Sequence, residues 1–72
     1  MMFPYKNYKV EFSYYSETKK KRITESEYYG CEYSAQNAVN RCRVDYQNYK
    51  DLRIESVYFE NYTAWEFTDA WE

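Results

Sequence analysis

The chain has 72 residues, with 10 Lys and Arg against 12 Asp and Glu, a formal net charge of −2 and no histidine. This length predicts a single domain, residues 1–72, with little room for a buried substrate pocket. The absence of histidine excludes Ser-His and Cys-His nucleophiles, and one glycine excludes a glycine-rich phosphate loop. No apolar stretch is long enough to span a membrane and no secretory leader is recognisable, so we expect neither membrane insertion nor secretion.

Aromatic residues dominate the apolar composition. The chain has 11 Tyr, 4 Phe and 2 Trp, and aromatic residues make up 24% of it. The mean hydropathy of −1.06 is low, but a high aromatic content and a small net charge favour a folded chain. We therefore expect a largely aromatic core. Because a small core cannot hide this many rings, we also expect exposed aromatic surface, which is typical of binding sites.

The first strand is predicted from a clean alternation in which Tyr8, Val10, Phe12 and Tyr14 share one face. The polar residues 16–20 then predict a hairpin loop. A second strand over residues 21–29 is less apolar. Ile23, Glu25 and Glu27 share its face in the ideal register, and a bulge near Glu27 or Gly30 would return Tyr29 and Cys31 to the core.

A helix is predicted from residue 35 to about residue 47. Ser34 is a suitable N-cap, because its hydroxyl can accept from a free N–H of the first turn. Small and apolar residues then recur at helical spacing, and polar residues fall on the opposite side. The predicted buried stripe consists of Ala35, Ala38, Val39, Cys42 and Tyr46.

Two more strands are predicted after the helix. In the strand over residues 52–59, Leu52, Ile54 and Tyr58 lie on one face, and Val57 and Phe59 lie on the other. Glu60-Asn61 is the predicted turn. Residues 62–68 pair back as a fourth strand with Trp65 and Phe67 on one face, and Trp71 anchors the chain end.

This element order, β-β-α-β-β, predicts an α+β fold. A single amphipathic helix must bury its apolar stripe, and an antiparallel sheet is the one large surface available. We therefore expect a small antiparallel sheet with one helix packed on one face. The other face is left open to solvent or to a partner.

The sequence gives little support for catalysis. Glu25 and Glu27 form a possible carboxylate pair, but no second catalytic group of another kind accompanies them. Cys31 and Cys42 lie at a spacing that matches no zinc motif. They are expected to be reduced, buried and structural, and an internal disulfide between them is the alternative. We expect a protein that is not an enzyme and that needs no cofactor and no metal.

The last third of the chain is acidic and aromatic. Between residues 54 and 72 there are five carboxylates and no Lys or Arg. Such a surface suits a basic protein partner, with charge steering the encounter and aromatic rings anchoring it. The alternative is a solvated edge whose charges discourage aggregation. The candidate partner-binding residues are Glu55, Tyr58, Glu60, Tyr62, Trp65, Glu66 and Asp69.

A basic run at the predicted hairpin loop is a second candidate site. Lys19, Lys20, Lys21 and Arg22 are placed to touch phosphates or an acidic partner, or simply to keep the loop solvated. Together with a tyrosine-rich sheet face, this run supports an alternative function, a single-stranded nucleic-acid-binding module. The residues that would stack on the bases or contact the phosphates, called the platform below, are Tyr15, Tyr28, Lys9 and Arg22. A sequence pI near 5.1 makes direct nucleic-acid binding the less favoured alternative.

Between residues 22 and 59, the element order resembles that of small phage-encoded anti-CRISPR inhibitors. The residues that carry the resemblance are Ile23, Ser34-Ala35-Gln36, Ala38-Val39 and Arg53-Ile54-Glu55-Ser56-Val57. It implies a non-enzymatic inhibitor that binds a CRISPR effector or another nucleic-acid-binding complex in the cytoplasm of a host bacterium. A homodimer formed by edge-strand pairing is a further alternative.

Overall fold

The computed structural model describes residues 5–72 as four strands and one helix, and the predicted domain's residues 1–4 lie outside this range. The elements are β1 (Lys6–Ser16), β2 (Lys21–Glu32), α1 (Ala35–Asp45), β3 (Arg53–Asn61) and β4 (Ala64–Thr68). All pairings are antiparallel, and the strand order across the sheet is β2-β1-β3-β4. The predicted α+β fold with the order β-β-α-β-β is therefore confirmed.

β1 contributes the central residues of the core. Its alternate residues Tyr8, Val10 and Phe12 are buried, as the sequence pattern predicts. α1 packs over them with its small residues Ala35, Ala38, Val39 and Cys42, which are also buried. Phe12 stacks on Tyr46 with 4.4 Å between the ring centroids, so aromatic rings complete the core at the end of the helix.

The helix begins as predicted and ends earlier. Ser34 is the N-cap, and its Oγ accepts from the Asn37 N–H at 3.1 Å. α1 ends at Asp45 rather than near residue 47, and the Tyr46 N–H closes the last turn on the Cys42 carbonyl at 3.0 Å. Tyr46 is thus a C-cap residue that is half-buried against the core.

β2 contains a bulge near Gly30, but the bulge does not bring Cys31 into the core. The register with β1 shifts between Tyr29 and Glu32, and Cys31 has a φ of 56° and is exposed. Tyr29 is buried as predicted, whereas the prediction of a buried Cys31 is wrong. Asn7 Oδ1 accepts from the Cys31 N–H at 3.1 Å, and a Cβ on Gly30 would lie 3.3 Å from the same oxygen.

Tyrosine hydroxyls bind the carboxylates on the core side of β2. Glu25 and Glu27 lie opposite Phe12 and Val10, and therefore share the helix-facing side. Tyr46 donates to Glu27, and Tyr14 donates to Glu25 across 3.5 Å. These contacts explain how an edge strand carries carboxylates beside an aromatic core.

A bulge in β3 overturns the predicted faces of that strand. In the register with β1, Glu11 pairs with Ser56 and Phe12 pairs with Ile54, so Glu55 is the extra residue. Alternation is interrupted there, and all four apolar residues pack toward the core: Leu52, Ile54, Val57 and Phe59. The strand begins at Arg53 rather than at residue 52.

The β3–β4 turn lies two residues later than predicted. β3 continues to Asn61, which pairs with Ala64, so Tyr62 and Thr63 form the turn in place of Glu60-Asn61. Tyr62 has a φ of 59°, a conformation that sequence patterns do not associate with tyrosine. Beyond β4, Trp71 packs partly buried against the core, as predicted. Within residues 5–72, no helix has the length and apolar character that crossing a membrane requires.

Candidate interaction surface

The sheet face opposite α1 carries a group of aromatic rings drawn from three strands. We call Tyr28, Tyr58, Trp65 and Phe67 the aromatic patch. Tyr28 and Trp65 have ring centroids 5.6 Å apart, and the centroids of Tyr58 and Phe67 are 6.0 Å apart. Tyr28 and Phe67 are 61% and 62% exposed, so the outer rings of the patch are available to a partner.

Lys9 lies at the centre of the aromatic patch. Its Nζ is 4.6 Å from the ring centroid of Tyr58 and 5.7 Å from that of Trp65. An ammonium at these distances is attracted by the ring quadrupoles and holds the rings in place. The same contact occupies one face of the Tyr58 ring, and that face is therefore not free to stack on another group.

The middle of this open face is polar and internally paired. Ser56 Oγ donates to Glu11 Oε1 at 2.7 Å. This bond, the largest cause, lowers the pKa of Glu11 below its ordinary value, and burial of the carboxyl opposes the shift. Ser13 is fully buried and donates to Glu55. These polar groups are paired with one another, whereas Tyr28 and Phe67 of the aromatic patch expose most of their surface.

The structure divides the predicted basic run. Lys19, Lys20 and Lys21 are exposed at the β1–β2 loop. Arg22 instead forms an ion pair with Asp51, and its Nη1 donates to the Asp51 carbonyl at 3.1 Å. Because Arg22 is bound to Asp51, it is less available to an external partner than the three lysines are.

The nucleic-acid platform predicted from the sequence is divided as well. Tyr15 pairs with Arg22 at one end of the β1–β2 ladder, whereas Lys9 pairs with Tyr28 near the other end. Six residues of strand separate the two groups, roughly 20 Å. Lys50 Nζ also lies 5.4 Å from the Tyr15 ring centroid. Of the four predicted platform residues, therefore, only Tyr28 belongs to the aromatic patch and only Lys9 contacts it.

The β3–β4 hairpin brings most of the predicted partner-binding residues together. Glu60 pairs with Trp65 and lies on the open face, and Glu66 pairs with Phe59 and lies on the helix side. Tyr62 is 94% exposed at the turn between them. Two predicted residues lie farther along: Glu55 at the β3 bulge and Asp69 after β4.

The carboxylates of this hairpin have neutral partners. Glu60 accepts from Asn7 at 3.1 Å, Glu66 accepts from Asn61 at 2.8 Å, and Glu55 accepts from Ser13. The ion pairs found within residues 5–72 involve other carboxylates: Glu17, Glu32 and Asp51. The negative charge of the hairpin is therefore available to an external cation.

We define the hairpin surface as the aromatic patch together with Glu60, Tyr62 and Glu66. Five residues of this surface are among the partner-binding residues predicted from the sequence: Tyr58, Glu60, Tyr62, Trp65 and Glu66. Phe67 is a contact residue that the prediction did not include. Its alternation with Trp65 was the available signal. Tyr28 and Lys9 join the surface through contacts across the sheet, for which the sequence contains no local signal.

The cysteines are free and differ in environment. Cys31 is exposed and Cys42 is buried. Burial raises the pKa of the Cys42 thiol to about 11, which makes it a poor nucleophile near neutral pH. In the part of the chain that the structure describes, no group of three or more Cys, Asp or Glu side chains is arranged to hold a metal ion.

No protein-family model matches this chain, and the searches found neither a curated protein nor a solved structure similar to it. The hairpin surface is therefore interpreted from its own residues: exposed rings, unneutralised carboxylates and one internal lysine.

Proposed function

We propose that this chain is a non-enzymatic binding protein that docks its hairpin surface onto a basic surface of a protein partner. The observation that carries the proposal is the pairing of exposed aromatic rings with carboxylates that no cation within residues 5–72 neutralises. Aromatic rings are the side chains that most often anchor interfaces, and complementary charge accelerates the encounter.

The more specific form of the proposal is a phage-type inhibitor, an anti-CRISPR protein acting in the cytoplasm of a host bacterium. Complexes that process nucleic acid present basic surfaces to phosphates. An acidic surface with aromatic anchors is complementary to such a site. The resemblance in element order to small anti-CRISPR inhibitors supports the same function.

The test uses charge reversal on the hairpin surface. Tagged wild type, Glu60→Lys/Glu66→Lys and the control Glu17→Lys/Glu25→Lys are used to capture proteins from nuclease-treated lysates of bacteria with CRISPR systems. The control has the same net charge change at exposed positions away from the hairpin. It also removes the Glu17–Lys50 ion pair and the Tyr14–Glu25 hydrogen bond, so circular dichroism first confirms that all three chains fold alike. We expect the same captured protein with wild type and control, and its loss with the hairpin variant.

The proposal is contradicted if both variants capture the same proteins, or if capture disappears for all chains once nucleic acid is digested. The inhibitor form has its own readout, the transformation of a plasmid that the host's CRISPR system targets. Expression of the wild-type chain should raise transformation, and expression of the hairpin variant should not. Unchanged transformation with wild type rejects the inhibitor form and leaves the protein-binding form in place.

A second candidate function, binding of single-stranded nucleic acid, is favoured by the exposure of Tyr28 and Phe67 on an open sheet face. Two observations weaken it: Lys9 covers a face of Tyr58, and the three exposed lysines lie at the far end of β1. Titration with labelled oligonucleotides at several salt concentrations separates the two functions. We expect no binding, whereas a steep loss of affinity with salt would show phosphate contacts.

A further inference from the structure

Among residues 5–72, β4 is an edge strand whose outer side has no neighbour in the sheet. Antiparallel ladders alternate between hydrogen-bonded and non-hydrogen-bonded pairs. The two-residue turn closes on Asn61 and Ala64, which makes that pair the first hydrogen-bonded one. By alternation, the N–H and C=O groups of Trp65 and Phe67 point away from β3 toward the open edge.

The opposite edge of the sheet is protected against pairing. β2 carries Glu25 and Glu27 on its core side, where tyrosine hydroxyls hold them, and charges placed in this way oppose the addition of a strand. The bulge at Gly30 and Cys31 also interrupts its backbone. β4 contains no bulge and carries a single carboxylate on its helix side, Glu66, where β2 carries two, and its residues Ala64, Glu66 and Phe67 are exposed.

We propose that the protein partner contributes an extended segment that adds to β4 as a fifth strand. This inference rests on the proposed function and specifies how the hairpin surface binds. Five residues of β4 span about 17 Å, enough for a short segment to form backbone hydrogen bonds at Trp65 and Phe67.

The charge and the side chains of β4 determine which residue pattern that segment needs. Side chains of an added strand alternate between the two sides of the sheet. On the open side they meet the rings of Trp65 and Phe67, and on the helix side they meet the carboxylate of Glu66. The segment that fits therefore alternates apolar residues with Lys or Arg.

The test compares Phe67→Pro with Phe67→Ala. Both variants lose the ring, but only proline removes the outward N–H, and edge positions tolerate proline. The probe is a synthetic ten-residue peptide of alternating Lys and Val, with an alternating Glu and Val peptide as the charge control. Binding is followed by NMR shifts and by amide hydrogen exchange of the protein.

We expect the Lys-Val peptide to slow exchange of the Trp65 and Phe67 amides in the wild-type chain. The affinity of Phe67→Pro for the peptide should be at least tenfold lower than that of Phe67→Ala. The Glu-Val peptide should bind the wild-type chain at least tenfold more weakly than the Lys-Val peptide. Equal affinities of the two variants, or protection of amides outside β4, would overturn the proposal.

The outcome is separable from that of the proposed function. If a captured partner is lost with Glu60→Lys/Glu66→Lys but is retained equally by Phe67→Pro and Phe67→Ala, side-chain docking stands and strand addition fails. If Phe67→Pro does not fold, the wild-type exchange experiment decides alone. Peptide binding that leaves the Trp65 and Phe67 amides unprotected then rejects strand addition.

Discussion

At the scale of single residues, tyrosine supplies much of the apolar contact that aliphatic residues supply in most small cores. Each tyrosine hydroxyl then needs an acceptor, because a buried polar group without one is costly. Tyr29 donates to Asp45 at 2.9 Å, and Tyr46 donates to Glu27. The carboxylates beside the core are therefore part of its packing and do not require a catalytic interpretation.

This pairing predicts the effect of Tyr46→Phe. The substitution keeps the ring against Phe12 and removes the donor to half-buried Glu27. We expect a loss of about 1–2 kcal/mol in the free energy of unfolding, measured by urea denaturation. Tyr62→Phe is the control, since that hydroxyl is on a 94% exposed residue. Equal stabilities of the two variants would contradict the prediction.

The same residues predict a loss of stability at alkaline pH. Burial raises the pKa of Tyr8 and Tyr29 above 10.0, and hydrogen bonding to Glu27 raises the pKa of Tyr46. Burial raises that of Cys42 from 9.0 to about 11. A raised pKa means that the folded state holds the proton more tightly. The contribution of these protonated groups to the free energy of unfolding is therefore complete below pH 9 and declines as the pH rises further.

Urea denaturation at a series of pH values between neutrality and pH 11 measures this decline. Tyr29→Phe should lose stability less steeply above pH 10 than the wild-type chain, because it removes one of the linked protons. A free energy of unfolding that stays constant up to pH 11 would contradict the assignment of these groups.

At the scale of elements, the bulge at Glu55 decides how β3 contributes to the core. One extra residue reverses the alternation, so that Leu52 and Ile54 join Val57 and Phe59 on the helix side. Without the bulge, one pair would face the core and the other would face solvent.

Deletion of Glu55 should therefore be far more damaging than Glu55→Ala. The deletion moves two half-buried apolar side chains, Leu52 and Ile54, to the open face. Full burial of such a side chain is worth about 1.5–3 kcal/mol, so the loss of both is large against a total stability of the order of 5 kcal/mol. We expect an unfolded chain by circular dichroism. The alanine variant should fold with a loss of about 1–3 kcal/mol, because the buried Ser13 hydroxyl loses its acceptor, while Ser13 Oγ still accepts from Arg22 at 2.9 Å. A folded deletion variant of wild-type stability would contradict this account.

At the scale of the whole molecule, charge is unevenly distributed along the sheet: three exposed lysines lie at the β1–β2 end, and Glu60 and Glu66 lie at the hairpin end, where Lys6 and Lys9 contact aromatic rings. The lysines of the β1–β2 loop follow Ser16, whereas the β3–β4 turn lies beyond Lys6 at the other end of β1. The molecule measures 48 Å along its longest axis. A basic partner surface would therefore attract the hairpin end and repel the loop end, so that the charges orient the encounter as well as accelerate it.

This uneven distribution of charge predicts a salt-dependent association rate with a captured partner. Raising the salt concentration from about 50 mM to about 500 mM should slow association by about tenfold or more and change dissociation much less. Glu60→Lys/Glu66→Lys should flatten the dependence, and surface plasmon resonance measures both rates. An association rate that does not respond to salt would show that charge does not guide the encounter.

The sequence alone was sufficient to predict those elements whose structure is determined by local periodicity. The alternation of β1, the Ser34 cap and the helical stripe all follow from spacings of two to four residues. The faces of Leu52 and Ile54 were predicted wrongly because the bulge at Glu55, unlike the one beside Gly30, is marked by no glycine in the strand. The turn at Tyr62 was missed because tyrosine seldom adopts a positive φ.

The candidate site shows the same limit. Glu60, Tyr62 and Trp65 were predicted from a local run of acidic and aromatic residues, and they do lie together on the hairpin. The contact of Lys9 with Trp65 and that of Tyr28 with Trp65 join residues more than 30 positions apart. Such contacts depend on strand order, which local periodicity does not determine.

The two tryptophans lie in different environments, and this gives the chain two internal fluorophores with separate uses. Trp71 packs against the core, and its Nε1 is buried without a hydrogen-bond partner within the described structure. Trp65 lies among the rings and the lysine of the open face. In Trp71→Phe the remaining emission would report what happens at the hairpin, and in Trp65→Phe it would report unfolding. Docking and folding can thus be followed optically without attaching a dye.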